Sequence, residues 1–74
     1  MSDACILIKT IPTRVDEILT SVKKIETIKK AYIVFGRWDI VAFIETTDYR
    51  QLKALTADIN ALKGVRSTET LAST

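Results

Sequence analysis

The sequence predicts an α+β fold with the element order βαββαβ. Apolar runs of strand length stand at 4–10, 31–35 and 40–44, and two other segments repeat apolar residues at helical spacing. The connections are short, and all elements must fit within 74 residues. At this length the order predicts a single ferredoxin-like domain over 1–74, a four-stranded antiparallel sheet with two helices on one face.

The first strand and first helix are predicted from a clear change of periodicity. Strand one covers 4–10, a run rich in β-branched residues, and Pro12 follows it. Helix one is predicted from about Arg14 to Ile25, with Thr13 and Asp16 at the spacing of a capping box. Its apolar positions lie on one helical face: Val15, Ile18, Leu19, Val22 and Ile25.

A hairpin is predicted in the middle of the chain. Strands two and three cover 31–35 and 40–44, and Gly36-Arg37-Trp38-Asp39 joins them. A connection of this length that contains glycine is typical of antiparallel neighbours.

The second helix has stronger end signals than the first. Asp48 is placed to cap it, Gln51 stands three residues later, and Lys63-Gly64 ends it. The apolar face of this helix consists of Leu52, Leu55, Ile59 and Leu62. Strand four then covers 65–72.

Composition excludes several functional classes. Eleven Lys+Arg against nine Asp+Glu give a net charge of +2, which disfavours direct nucleic-acid binding. The chain has no histidine and one cysteine, Cys5, so an intrachain disulfide, a thiolate or imidazole metal site and a Ser/His or Cys/His catalytic pair are excluded. We expect no cofactor. No apolar stretch has the length of a membrane span, and the expected location is the cytoplasm.

Both faces of the predicted sheet are apolar, which is unexpected where helices cover only one. Strand one presents Ile6 and Ile8 on one face and Cys5 and Leu7 on the other. The next two strands divide in the same way, with Ile33, Phe35, Ile40 and Ile44 opposite Tyr32, Val34, Val41 and Phe43. A second copy packed against the uncovered face would bury it, so the sequence predicts a homodimer, a dimeric α/β sandwich. Coverage by the C-terminal tail is the alternative.

Two polar clusters are candidates for a ligand site. The turn Gly36-Arg37-Trp38-Asp39 offers backbone amides to a carboxylate, and Asp39 offers either an acceptor for an ammonium group or a brace for the turn. Thr68 and Thr70 share one face of strand four and offer two hydroxyls. Each of these residues also has a purely structural explanation. Gly36 and Asp39 would only shape the hairpin, and Thr68 and Thr70 would reflect the high β-propensity of threonine. Arg37 would be solvated, and Trp38 would lie at a subunit contact.

The same two clusters carry a resemblance to a known family. The chain resembles the effector-binding half of the Lrp/AsnC regulators, the RAM domain, in which a strand is followed by Gly-x-x-Asp and later by Gly-Val and a Thr-x-Thr-like segment. Here these are 31–40 and 64–70. Arg37 departs from the family pattern, which commonly has an acidic residue at this position.

The resemblance implies a ligand-binding module without a DNA-binding domain. Family members of this type form dimers through their sheets, dimers associate further, and amino-acid effectors bind between dimers near the turn. By this resemblance Gly36, Arg37, Trp38 and Asp39 line the site, and Thr68 and Thr70 contact the effector. The competing hypotheses are an effector-independent adaptor that pairs with full-length Lrp/AsnC regulators, and an enzyme. No paired-cysteine loop or glycine-rich phosphate cradle supports the enzyme.

Overall fold

The computed structural model describes residues 2–46 and 48–72 and has the predicted order βαββαβ. Its strands form one antiparallel sheet in the order β2-β3-β1-β4, which is the ferredoxin-like arrangement. The elements are β1 (Ser2–Thr10), α1 (Val15–Lys23), β2 (Ile28–Ile33), β3 (Ile40–Thr46), α2 (Tyr49–Asn60) and β4 (Val65–Ala72). The prediction of two helices and four antiparallel strands is therefore confirmed.

The start of α1 differs from the predicted capping box. A 3₁₀ turn over Pro12–Arg14 precedes the helix, and Arg14 N donates to Ile11 O at 2.9 Å. Proline suits the first position of such a turn, because the amide it lacks would have no helical partner. Neither the 3₁₀ turn nor α1 has a side-chain cap, so the capping role predicted for Thr13 is wrong.

Strand β2 is shifted towards the N-terminus relative to the predicted range 31–35. Ile28 pairs with Ile44 and Ala31 with Ala42, with a bulge between Ile28 and Lys30. The strand ends at Ile33, and Phe35 is 98% exposed beyond it.

Helix α2 begins as predicted and ends three residues before Lys63. Asp48 caps it, since its Oδ1 accepts from Arg50 N at 2.8 Å. Tight turns follow the helix, and Gly64 adopts a φ of +100° before β4.

The core lies between the sheet and the two helices. The alternation predicted for β1 is confirmed, since Ile6 and Ile8 are fully buried there. The cluster is completed by Ala4, Ile18, Val22, Ile28, Ala31, Ile40, Ala42, Ile44, Leu52, Leu55 and Ile59. Among the described residues no helix is long and apolar enough to cross a membrane.

The face of the sheet opposite the helices, here called the open face, is apolar as predicted. Tyr32, Phe43 and Leu71 are 50%, 42% and 51% exposed, and the rings of Tyr32 and Phe43 make an edge contact with centroids 6.3 Å apart. Cys5 pairs in register with both Phe43 and Leu71, and is itself half-buried. Exposed apolar surfaces of this kind are typical of interaction sites in small soluble domains.

Candidate functional site

The turn Gly36–Asp39 is attached to the end of β1 by backbone hydrogen bonds. Asp39 N donates to Ile8 O at 2.9 Å, and Val34 N donates to Asp39 O at the same distance. Gly36 has a φ of +122°, a region that side chains with a Cβ rarely adopt, and no atom lies within 4 Å of where a Cβ would be. The turn is therefore both closed by the β2–β3 pairing and anchored to the central strand.

The carboxylate of Asp39 contacts this chain directly. Its Oδ2 accepts a hydrogen bond from Thr10 N at 2.9 Å and lies 3.6 Å from Lys9 Nζ. Asp39 was expected either to accept from an ammonium group of a ligand or to brace the turn. The bracing contacts are present within a single chain. Lys9 offsets the negative charge that an ammonium group would otherwise meet.

Arg37 and Trp38 occupy the outer part of the turn. Arg37 is exposed and Trp38 is half-buried. Arg37 makes no ion pair with the residues that the structure describes. Within 2–46 and 48–72, the amides of Gly36, Arg37 and Trp38 donate to no backbone carbonyl. A guanidinium and several such N–H groups together favour an anion.

Thr68 and Thr70 share one face of β4, and that face is covered by α2. Thr70 pairs with Ile6 and Thr68 with Ile8, whose side chains are buried under the helices. Thr70 Oγ1 lies 3.3 Å from Thr56 Oγ1, and Thr68 Oγ1 donates to Asn60 Oδ1 at 3.2 Å. The two hydroxyls therefore form a polar seam between the edge strand and α2.

The turn and the threonines do not form one pocket within a single chain. Asp39 contacts Lys9, which alternates with the buried Ile8 and so belongs to the open face, whereas Thr68 and Thr70 face α2. The sequence predicted that the threonines share a face. It did not predict which face, because β4 has no clearly apolar side.

The polar partners of these residues were not predicted from the sequence. Lys9 could have been placed on the open face by its alternation with Ile8. Thr56 and Asn60 are four residues apart and so lie on the same side of α2. Their proximity to β4 depends on tertiary packing, for which the local pattern gives no signal.

Two of the open concavities on the described surface lie beside residues discussed above. One has a volume of about 590 Å³ and lies near the N-terminal ends of β1 and β2, where Tyr32, Phe43, Lys30 and Glu45 contribute to its lining. The other has a volume of about 360 Å³ and follows α2 beside Thr70. In the described ranges no group of three or more His, Cys, Asp or Glu side chains could hold a metal ion.

The comparisons with known proteins agree with this fold. Residues 3–74 match the family model described as the Lrp/AsnC ligand binding domain. No match was found among curated protein sequences.

Several solved structures have the same fold as this chain. TTHA0845 from Thermus thermophilus is 29% identical with a TM-score of 0.95, over 100% of this chain and 94% of that one. AsnC from E. coli has 19% identity and a TM-score of 0.88, over 97% of this chain and 50% of that one. The regulator NMB0573 from Neisseria meningitidis, solved as a complex with L-Met, has 16% identity and a TM-score of 0.84, over 99% of this chain and 49% of that one. The chain spans about half the length of these two regulators.

Proposed function

The chain belongs to the Lrp/AsnC ligand-binding domain family, and from this premise we propose that it is a non-enzymatic regulatory module that binds an amino acid between associated copies. The turn Gly36–Asp39 of one copy and Thr68 and Thr70 of another would line the site. Binding at a site made by two copies couples occupancy to assembly, because the ligand stabilises the oligomer that carries the complete site.

The main support for a shared site is the separation of its two parts within the chain. Asp39 belongs with Lys9 on the side of the open face, and Thr68 and Thr70 contact α2. A ligand that contacts both clusters therefore needs a second copy. The Neisseria regulator forms a complex with L-Met, which supports an amino acid as the ligand class.

The open face supports a homodimer as the first level of assembly. Tyr32, Phe43 and Leu71 expose large apolar surfaces there, and a domain of 74 residues buries little of its own. A two-fold arrangement of two open faces buries these side chains against each other. Dimers would then meet at the turns.

A second candidate function is an adaptor that pairs with full-length regulators without binding an effector. One observation favours it: the carboxylate of Asp39 already accepts from Thr10 N and contacts Lys9. In this case the turn only closes the hairpin.

Native mass spectrometry with a panel of amino acids tests the proposal. The expected spectrum shows an even number of subunits that gains the mass of one amino acid. Thr68→Val should weaken this binding at least several-fold, whereas Thr20→Val, on the exposed side of α1, should not. A dimer that binds no amino acid would favour the adaptor, and equal affinity in both variants would remove Thr68 from the site.

A further inference from the structure

We propose that the turn selects an amino acid with a negatively charged side chain, and that Arg37 is the residue that makes this selection. This inference rests on the proposed function, since it names the ligand class of the same site. It follows from how the charges of the turn are used in the folded chain.

Asp39 does not leave the turn with a net negative charge. Its Oδ2 accepts from Thr10 N at 2.9 Å and lies 3.6 Å from Lys9 Nζ, so the nearest cation neutralises it. A ligand with a second positive charge would therefore find no uncompensated anion in the turn and would instead meet the guanidinium of Arg37, which has no ion pair among the described residues. Like charges repel each other, so basic amino acids are disfavoured.

Arg37 is the uncompensated charge of the turn. It is exposed and has no ion pair among the described residues. Its guanidinium can donate two parallel hydrogen bonds to one carboxylate. Such charge-assisted bonds are stronger than those that the guanidinium would make to a ligand's neutral side-chain amide. The amides of Gly36, Arg37 and Trp38, which have no backbone acceptor in the described chain, add donors of the same polarity. An acidic amino acid supplies two carboxylates for these two sets of donors.

Neighbouring side chains increase the effect of this charge. Phe35, two residues before Arg37, is 98% exposed, and Trp38, the next residue after Arg37, is half-buried. When a second copy covers the turn, these rings exclude water and lower the local dielectric constant, which strengthens the guanidinium–carboxylate pair.

Matched ligand pairs test the inference by titration calorimetry. L-glutamate and L-aspartate are compared with L-glutamine and L-asparagine, which have nearly the same shape without the side-chain charge. Binding of the acidic ligands should be at least about tenfold tighter, as expected for a charge-assisted pair replacing a neutral one. Arg37→Gln should remove this preference. Arg66→Gln, at an exposed arginine on β4, is the control and should retain it.

The outcomes separate this inference from the function on which it rests. Equal or tighter binding of the amides or of L-Met would overturn the acidic preference and leave the amino-acid-binding module intact. Binding of no amino acid by a folded oligomer would overturn both. An acidic preference that persists in Arg37→Gln would show that another cation makes the selection.

Discussion

The backbone nitrogen of Thr10 donates a hydrogen bond of 2.9 Å to the carboxylate of Asp39, 29 residues further along the chain. Thr10 is the last residue of β1, and its amide lies beyond the ladder that pairs β1 with β3. The Asp39 side chain therefore replaces a missing backbone acceptor. The end of the central strand and the candidate ligand turn are thus held by one contact.

Asp39→Ala should destabilise the fold. The substitution leaves the Thr10 amide without an acceptor, and Thr10 is only 1% exposed. An unpaired buried amide costs about 1–3 kcal/mol, so the free energy of unfolding should fall by that amount in urea denaturation at fixed protein concentration. Asp39→Asn retains an acceptor oxygen and should lose less.

Asp58→Ala is the matched control, since Asp58 is an exposed residue of α2. It should change the free energy of unfolding by no more than about 0.5 kcal/mol. If Asp39→Ala behaves like this control, the hydrogen bond to Thr10 N does not contribute to stability, and a bracing role for Asp39 is overturned.

The two glycines should respond differently to alanine. Both have positive φ, which costs a residue with a Cβ about 1–3 kcal/mol. A Cβ on Gly36 would meet no atom within 4 Å, whereas a Cβ on Gly64 would lie 2.8 Å from Arg14 Cδ and 3.1 Å from Ile18 Cδ1. Gly64→Ala should therefore be the more destabilising by at least about 1 kcal/mol in the same denaturation experiment. Equal losses would mean that Arg14 moves aside without cost.

Local patterns were sufficient to predict the layers of this fold. Alternation in β1 placed Ile6 and Ile8 in the core, and the hairpin followed from two apolar runs around Gly36. The cap at Asp48 was also correct. These features depend on residues close together in sequence, so a single sequence contains their signal.

The remaining features depend on long-range pairing. Strand β2 was predicted too far towards the C-terminus, for two reasons. The bulge between Ile28 and Lys30 breaks the alternation at its start, and the apolar run continues to Phe35 after the pairing has ended. The partner of Asp39 is distant in sequence. Only the register of β4 against β1 shows that Thr68 and Thr70 face α2.

Thr10→Val should increase stability. The Thr10 hydroxyl is buried and has no hydrogen-bond partner among the described residues, and valine has nearly the same shape. Removing an unpaired buried hydroxyl should raise the free energy of unfolding by about 1 kcal/mol, measured by thermal and urea denaturation. Thr56→Val, where the hydroxyl donates to Leu52 O, should bring no such gain. A less stable Thr10→Val protein would indicate a bound water at this hydroxyl.

Phe43→Glu should dissociate the homodimer proposed to form through the open face. Phe43 is 42% exposed in the single chain, so the fold tolerates a polar side chain there, but a carboxylate buried between two apolar sheets lacks a partner. Sedimentation velocity should show a monomer, with circular dichroism showing that the fold is retained.

Leu71→Lys, on β4 of the same face, should act in the same way. Tyr49→Glu is the control, because Tyr49 is 73% exposed on α2, on the other side of the sheet, and this variant should remain dimeric. A dimer that survives both open-face variants would mean that the copies associate through another surface.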